Sequence, residues 1–152
     1  MSIAPGQTNV EPLIKTLQAV IGPDHVITDR AERTFYSTDV FFEGNPADVV
    51  VQPGSKEELA RAVAEATRIG HAVVPRGGGM SYSAGYVPER QASMIVDTRR
   101  LNRIVEINAE DMYVTVECGH RRDRPHRRHD GSSRSLGAQG QRSATEPTRV
   151  LS

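Results

Sequence analysis

The sequence predicts an α+β fold that opens with a βαβ unit and continues into an antiparallel hairpin. A helix with a clear start and end lies between two short apolar segments, residues 48–52 and 72–75, which is the strand–helix–strand pattern of a βαβ unit. Further along, residues 112–117 alternate apolar and polar side chains behind a polar turn at residues 108–111. This alternation is typical of a hairpin strand with one apolar face.

Two helices are defined by their ends. The first is predicted over residues 11–21, where leucine, isoleucine and valine recur on one helical face before Gly22 stops the helix. The second begins behind Ser55, because Ser55 and Glu58 have the spacing of a capping box, in which the two side chains satisfy free backbone N–H groups. Gly70 then ends this helix in a left-handed conformation.

The other segments are predicted as strands and a connection. Residues 93–97 form a short apolar strand, and residues 101–107 form the first strand of the hairpin. Residues 24–47 are polar with scattered aromatic side chains and end near an Asn-Pro turn signal. We therefore expect residues 24–47 to connect the first helix to the first strand.

The composition changes abruptly after Cys118. The whole chain has 152 residues and a net charge of zero, from 19 basic and 19 acidic side chains. This zero combines a charge of −5 over residues 1–118 with +5 over residues 119–152, and the even balance argues against nucleic-acid binding by bulk charge. The predicted division is a helical lead-in (1–43), a domain (44–119) and an arginine-rich tail (120–152).

The tail has too few apolar residues to offset the entropy of ordering it, so we expect it to be disordered. Its foreign composition also suggests a frameshift near residue 119, which a translation of the other two reading frames without any related continuation would refute. The potential metal ligands in and beside the tail are Cys118, His120, His126, His129 and Asp130. Their spacing fits no zinc motif and the arginines repel cations, so we expect no metal there. Non-specific contact of the arginines with nucleic acid is the less favoured alternative.

The chain shows no sign of a membrane or secreted protein. No apolar run reaches the roughly 18–20 residues of a membrane span, and the first residues lack the features of a secretory signal. The single cysteine, Cys118, excludes an internal disulfide framework and suits a reducing compartment, so we expect a cytoplasmic protein. Because Cys118 precedes Gly119, where close packing is expected, its thiol is predicted to be buried and inert.

A glycine-rich loop behind the strand at 72–75 is the most informative stretch. Its three consecutive glycines, 77–79, allow positive φ angles and let successive N–H groups turn toward one anion. Ser81 and Ser83 could add hydroxyl donors and Arg76 a cation, a set that suits a diphosphate. The loop lacks the helix that follows a Rossmann fingerprint and the Lys-Ser/Thr pair of a Walker A loop. A flexible surface loop without a ligand is the alternative.

Four blocks of sequence carry a resemblance to a known family. They are Asp48-Val-Val-Val-Gln-Pro-Gly-Ser-Lys-Glu-Glu-Leu-Ala60, Ile69-Gly-His-Ala-Val-Val-Pro-Arg-Gly-Gly-Gly-Met-Ser-Tyr-Ser-Ala-Gly85, Ile95-Val-Asp-Thr-Arg-Arg-Leu-Asn-Arg-Ile104 and Val114-Thr-Val-Glu-Cys-Gly119. In order and spacing they resemble the FAD-binding domain of FAD-linked oxidases, the PCMH-type domain of the vanillyl-alcohol oxidase flavoproteins. The resemblance covers residues 10–119 and implies the first half of such a domain.

The resemblance implies FAD as the cofactor, with its pyrophosphate wrapped by the glycine loop. The implied binding residues are Pro75, Arg76, Gly77, Gly78, Gly79, Met80, Ser81 and Gly85. Some members of the family attach FAD to a histidine at the position of Met80, and a thioether cannot form that link, so we expect non-covalent FAD. His71 is expected at the surface rather than at the flavin. Tyr82 and Tyr86 either line the flavin site or pack the loop.

The function implied by the resemblance is FAD binding within an oxidoreductase that oxidises a hydroxy acid or an alcohol, with the flavin accepting the hydride. Only an intact relative would bind the small-molecule substrate, so we expect a truncated and inactive chain. No catalytic residue is assigned, because the carboxylates near the strand ends form no spaced pair and are expected to be solvated. These carboxylates are Asp39, Glu43, Asp97, Glu106 and Glu117. The alternative is a non-enzymatic fragment whose basic tail binds anions or nucleic acid non-specifically.

Overall fold

A computed structural model describes residues 10–121, which form three helices, a four-stranded sheet and a separate two-stranded sheet. The helices are α1 (Glu11–Ile21), α2 (Arg30–Tyr36) and α3 (Lys56–Arg68), with short 3₁₀ turns at Pro23–His25 and Thr98–Arg100. The strands are β1 (Val26–Ile27), β2 (Val49–Val51), β3 (Ala72–Arg76), β4 (Ser93–Asp97), β5 (Ile104–Asn108) and β6 (Tyr113–Val116).

The four-stranded sheet has the order β1-β2-β4-β3. Strands β2 and β3 both run parallel to β4, which lies between them, whereas β1 is antiparallel to β2. The predicted βαβ unit is therefore confirmed as β2-α3-β3, with β4 inserted between its two strands. Because the three strands are parallel, their carboxyl ends lie along one edge of the sheet, where Arg76 is the register partner of Asp97.

Helix α3 begins and ends where its capping residues predicted. The Ser55 hydroxyl accepts a hydrogen bond from the Glu58 N–H at 3.2 Å, and the Glu58 carboxylate accepts one from the Gly54 N–H at 2.7 Å. Both bonds satisfy N–H groups at the start of the helix that have no partner within it. At the other end, Gly70 has φ = +81°, the left-handed conformation that glycine adopts without strain.

The core lies on both faces of the four-stranded sheet. On one face, Leu13, Leu17 and Ile21 of α1 are buried with residues of α3 and the sheet. On the other face, Tyr36 at the end of α2 packs with buried residues that include Ile95. The bounds of α1 match the predicted helix, because its apolar stripe supplies the contacts of the first face.

Residues 24–47 contain more structure than the predicted connection. They include the whole of α2 and the two residues of β1. Helix α2 is held by Asp29, whose side chain accepts a hydrogen bond from the Glu32 N–H at 3.0 Å, and by Arg33, which donates to the Ala47 carbonyl at 2.6 Å. Both elements are too short to show a hydrophobic period, so only the Asp29-to-Glu32 cap could have revealed the helix.

The predicted hairpin is confirmed as β5 and β6, an antiparallel pair in which Ile107 lies opposite Val114. Its first strand begins at Ile104 rather than at residue 101, because residues 101–103 lie in an irregular link after the 3₁₀ turn that ends at Arg100. Ile104 at the start of the hairpin is partly buried, but five large non-aromatic apolar side chains after it are exposed. They are Val105, Ile107, Met112, Val114 and Val116. Within residues 10–121, no helix has the length and apolarity that crossing a membrane requires.

The contrast between the sheet and the hairpin gives a stability prediction. Ile95→Ala removes a fully buried side chain from the central strand and should lower the free energy of unfolding by about 2–5 kcal/mol. The matched control Ile107→Ala makes the same change on the exposed hairpin and should cost less than about 1 kcal/mol. Urea unfolding followed by far-UV circular dichroism measures both, and equal losses would contradict the assignment of the core.

Candidate functional site

The glycine loop leaves the sheet at the carboxyl edge of the parallel strands. Pro75 and Arg76 are the last two residues of β3, and the remaining predicted site residues, Gly77 to Gly85, follow directly in the loop. The carboxyl edge of a parallel sheet is where ligands bind in open α/β sheets, because the loops leaving neighbouring strands form a crevice there. The structure thus places all the predicted site residues at one edge.

The three consecutive glycines differ in what they are needed for. Gly79 has φ = +74°, and a Cβ built on it would lie 2.5 Å from the Arg76 guanidinium, so the loop's own structure requires glycine at this position. At Gly77 and Gly78 the φ angles are outside the left-handed region, and a built Cβ would meet no atom of residues 10–121 within 4 Å. The protein's own packing therefore does not require these two glycines, and they leave open space above the backbone.

Arg76 lies beneath the loop with its charge buried. The residue is 6% exposed, and its guanidinium carbon lies 4.8 Å from the Tyr36 ring centre and 4.9 Å from that of Tyr86. Its Nε has no hydrogen-bond partner, and no carboxylate within residues 10–121 forms an ion pair with it. An unpaired buried charge is costly, and within residues 10–121 no side chain of opposite charge offsets that of Arg76.

Internal hydrogen bonds give the loop its shape. The Tyr86 hydroxyl donates to the Gly79 carbonyl at 2.8 Å, and Tyr86 is buried, so this tyrosine packs the loop from below. The Ser81 hydroxyl accepts from the N–H groups of Ser83 and Gly85, both at 3.3 Å. Tyr82, in contrast, is 60% exposed. Tyr86 was predicted either to line the flavin site or to pack the loop, and its burial and hydrogen bond show that it packs the loop.

Met80 is an exposed residue of the predicted site, with 74% of its surface accessible. Its thioether projects from the loop between Gly79, which the Tyr86 hydroxyl holds, and Ser81, which accepts the two backbone bonds. The Met80 side chain is therefore largely exposed and contributes little to the packing of the loop.

A second cluster of polar side chains lies at the same edge, around Asp97. Its carboxylate accepts hydrogen bonds from the Tyr36 hydroxyl at 3.2 Å, the Gln52 amide at 2.9 Å and the Arg99 guanidinium at 2.6 Å. Burial acts to raise the pKa of Asp97, but the bonds from Arg99 and Gln52 hold it below its ordinary value. Burial and the Asp97 charge raise the pKa of Tyr36. The predicted solvated state of Asp97 is wrong, because the carboxylate is 1% exposed.

Asp39 also differs from its predicted solvated state. It is 9% exposed, and its carboxylate accepts hydrogen bonds from the backbone N–H groups of Phe41, Phe42 and Ala84 at 2.8–2.9 Å. Partial burial acts to raise the pKa of Asp39, and the three N–H donors lower it overall. The bond to Ala84 connects the segment after α2 to the glycine loop. Sequence reasoning missed this contact because the two residues are 45 positions apart.

The prediction that His71 lies at the surface is wrong. His71 is 3% exposed, with its Nε2 at 3.1 Å from the Asp48 carboxylate. The residue immediately precedes β3, so it lies at the amino edge of the parallel strands, opposite the glycine loop. Its backbone N–H also donates to the Ala66 carbonyl at the end of α3, and this turn directs the ring inward. His71 is thus a packed residue far along β3 from the candidate site.

The prediction that the Cys118 thiol is buried is wrong as well. Cys118 is exposed, whereas Gly119 is buried and donates its N–H to the Leu101 carbonyl at 2.7 Å. A Cβ at Gly119 would overlap the Thr98 carbonyl, so the close approach falls on the glycine and leaves the cysteine outside. In the described part of the chain, no three His, Cys, Asp or Glu side chains come together as a metal site. His126, His129 and Asp130 lie outside the described residues.

Among curated proteins, three relatives illustrate the similarity. The chain is 31% identical over 115 residues to 1'-carboxy-chondrochloren decarboxylase of Chondromyces crocatus, covering 73% of this chain and 21% of the relative. It is 31% identical to D-2-hydroxyglutarate dehydrogenase of Xanthomonas citri pv. viticola, covering 72% and 23%. It is 28% identical to a glycolate oxidase subunit of Bacillus subtilis, covering 66% and 21%. The chain thus spans between a fifth and a quarter of the length of these relatives.

Solved structures share the fold. The chain superposes on alkyldihydroxyacetonephosphate synthase with a TM-score of 0.66 at 22% identity, over 79% of this chain and 26% of that one. It superposes on p-cresol methylhydroxylase with a TM-score of 0.66 at 19% identity, over 76% and 23%. For the 4-ethylphenol oxidase of Gulosibacter chungangensis the TM-score is 0.64 at 26% identity, over 75% and 23%. These likenesses confirm the predicted α+β, PCMH-type fold.

A family model described as FAD binding domain matches residues 47–143. The match begins just before β2, includes the glycine loop and runs past the predicted domain end at residue 119 into residues that the structure does not describe. It covers more than half of the chain. The protein therefore belongs to the FAD binding domain family of FAD-linked oxidoreductases.

Proposed function

We propose that the chain binds FAD non-covalently, with the diphosphate of the cofactor in the glycine loop from Arg76 to Gly85. The observation that carries this proposal is the Arg76 guanidinium, which is buried beneath the loop without a counter-ion among residues 10–121. A diphosphate would supply the missing negative charge. It would also accept hydrogen bonds from the loop's backbone N–H groups, as anions do in other N–H-lined concavities.

The residues present fit such a group. Gly77 and Gly78 leave open the space that side chains would fill, so a bulky anion can approach the backbone closely there. Arg76 is held by stacking on aromatic rings rather than by carboxylates, which keeps its donors available for a ligand. Tyr86 fixes the Gly79 carbonyl from below, so the loop is shaped before the ligand arrives. Little ordering would then remain to be done on binding.

We propose further that the intact activity is an oxidation of a hydroxy acid or an alcohol. Two relatives are named D-2-hydroxyglutarate dehydrogenase and glycolate oxidase subunit, and both names denote 2-hydroxy acids. FAD, when bound, supplies the hydride acceptor for this chemistry. The residues of this chain bind and orient the cofactor at the carboxyl edge of the sheet, and we assign none of them to the substrate. We therefore propose that this chain alone is catalytically inactive.

The solitary cysteine also bears on location. Because Cys118 is the only cysteine of the chain, no internal disulfide can form, and a reducing compartment suits such a protein. On this ground we propose a cytoplasmic location.

Gly78→Val tests whether the glycine loop binds FAD. Purified wild-type chain should take up added FAD and show an absorption band at about 450 nm. The valine side chain fills the open space at Gly78, so this variant should take up no FAD while keeping the wild-type thermal midpoint. Ala64→Val adds branched bulk on the exposed side of α3 and serves as the control, with uptake unchanged. A colourless wild-type chain, or equal uptake by Gly78→Val, would contradict the proposal.

Arg76→Met separates binding from stability. Methionine keeps much of the apolar packing against Tyr36 and Tyr86 but removes the buried charge, so the FAD-free chain should stay within about 1 kcal/mol of wild-type stability. The dissociation constant for FAD should rise by about tenfold or more, because a charge-assisted contact to phosphate is lost. Flavin fluorescence titration and urea unfolding give the two values. A variant that binds FAD like the wild type would refute the role of Arg76.

The mode of attachment is tested by acid precipitation. Because the Met80 thioether forms no bond to the flavin, acid should leave all of the flavin absorbance in the supernatant. Met80→Leu is the control and should release flavin equally. Flavin that remains with the precipitated wild-type protein would show a covalent link and overturn the non-covalent proposal.

A further inference from the structure

We propose that Asp39 is a positioning residue for the FAD site, holding the far end of the glycine loop through the backbone of Ala84. This inference rests on the proposed function of the loop. Asp39 lies between α2 and β2, before residue 47, where the match to the family model begins. The predicted lead-in over residues 1–43 therefore contains a side chain that acts on the site.

The two carboxylate oxygens of Asp39 have separate partners. Oδ1 accepts hydrogen bonds from the N–H groups of Phe41 and Phe42, at 2.9 and 2.8 Å. The Asp39 N–H in turn donates to the Phe42 carbonyl at 2.9 Å, so the residue closes a tight turn within its own segment. Oδ2 accepts from the Ala84 N–H at 2.8 Å. One oxygen thus shapes the local turn and the other joins this turn to the loop.

Ala84 has a conformation that needs such support. Its φ of +56° lies in the left-handed region, which is unfavourable for a residue with a Cβ. Unusual backbone angles persist where the surroundings hold them and occur often at binding sites. The Ala84 N–H is held by its hydrogen bond to the Asp39 carboxylate, and the Ala84 carbonyl accepts a hydrogen bond from the Val87 N–H at 3.0 Å. Both sides of the strained residue are thereby held.

The position of Ala84 connects this strain to the cofactor site. The next residue, Gly85, donates its N–H to the Ser81 hydroxyl, and Tyr86 donates to the Gly79 carbonyl. A change at Ala84 would therefore move the groups that hold both Ser81 and Gly79. Through Ala84, Asp39 fixes the part of the loop that follows the three glycines. Arg76, which immediately precedes these glycines, supports the other end of the loop.

The aspartate is ionised in this role. Its carboxylate oxygens accept hydrogen bonds from backbone N–H groups, and no Lys or Arg within residues 10–121 forms an ion pair with it. Hydrogen bonds of a carboxylate to backbone N–H groups are stronger than those between neutral groups. The link between the two segments therefore has more strength than an ordinary turn contact.

Asp39→Asn tests the link selectively. An asparagine side chain has one carbonyl oxygen, which can still accept from Phe41 and Phe42, and its NH₂ group cannot accept from Ala84. In the FAD-free chain, amide hydrogen exchange at Ala84 should become faster while the amides of β2 and β4 keep their protection. The dissociation constant for FAD should rise by about tenfold. A global loss of structure would instead speed exchange throughout the sheet.

Ala84→Gly supplies the rescue. Glycine adopts the left-handed conformation without strain, so it needs less support from Asp39. The double variant with Asp39→Asn and Ala84→Gly should bind FAD several-fold more tightly than Asp39→Asn alone. Unchanged exchange at Ala84 in Asp39→Asn, wild-type affinity of that variant, or no rescue by glycine would each overturn the inference. Failure of the wild-type chain to bind FAD would refute the proposed function instead, and the exchange comparison would still decide the role of Asp39.

Discussion

The burial of β4 between two parallel neighbours is the constraint on which the rest of the structure depends. All five residues of this strand are buried, and it pairs with β2 on one side and β3 on the other. Parallel pairing on both sides brings the carboxyl ends of the three strands to one edge. The glycine loop and the Asp97 cluster meet there because β4 sets the register of Arg76 against Asp97. The burial and pairing of β4 therefore determine where the glycine loop and the Asp97 cluster lie.

Two arginines at this edge differ in how their charges are accommodated: Arg76 is buried, whereas the Arg99 side chain is 40% exposed. Arg99 is paired with Asp97 at 2.6 Å, and the pair shares the Tyr36 hydroxyl. Arg76 stacks on the same Tyr36 ring and has aromatic rings as its neighbours in place of a carboxylate. Arg99 is thus neutralised by Asp97 and has a structural role, whereas Arg76 has no carboxylate partner among residues 10–121, which is why we propose it as a ligand-binding group. Tyr36 joins the two and keeps them at fixed positions.

Much of the fold could be predicted because its signals are local. The ends of α1 and α3 follow from neighbouring residues such as Ser55 and Gly70, and the glycine loop was visible as a run of residues. The errors concern burial, which depends on distant partners. Asp97 is buried through Tyr36, 61 positions away, and no local pattern shows that contact. Helix α2 was missed because its seven residues are too short to display a period.

The hairpin has a consequence for handling the protein. Five of its large non-aromatic apolar side chains face solvent, and Met112 is 90% exposed on the turn that precedes β6. Within residues 10–121 no further strand pairs with either outer edge of this two-stranded sheet, and exposed strands with apolar faces can add strands from other molecules. Concentrated solutions of the chain should therefore self-associate through this hairpin before the core unfolds. Dilute storage, or a lysine substituted on the hairpin, would reduce this aggregation and would leave the glycine loop unchanged.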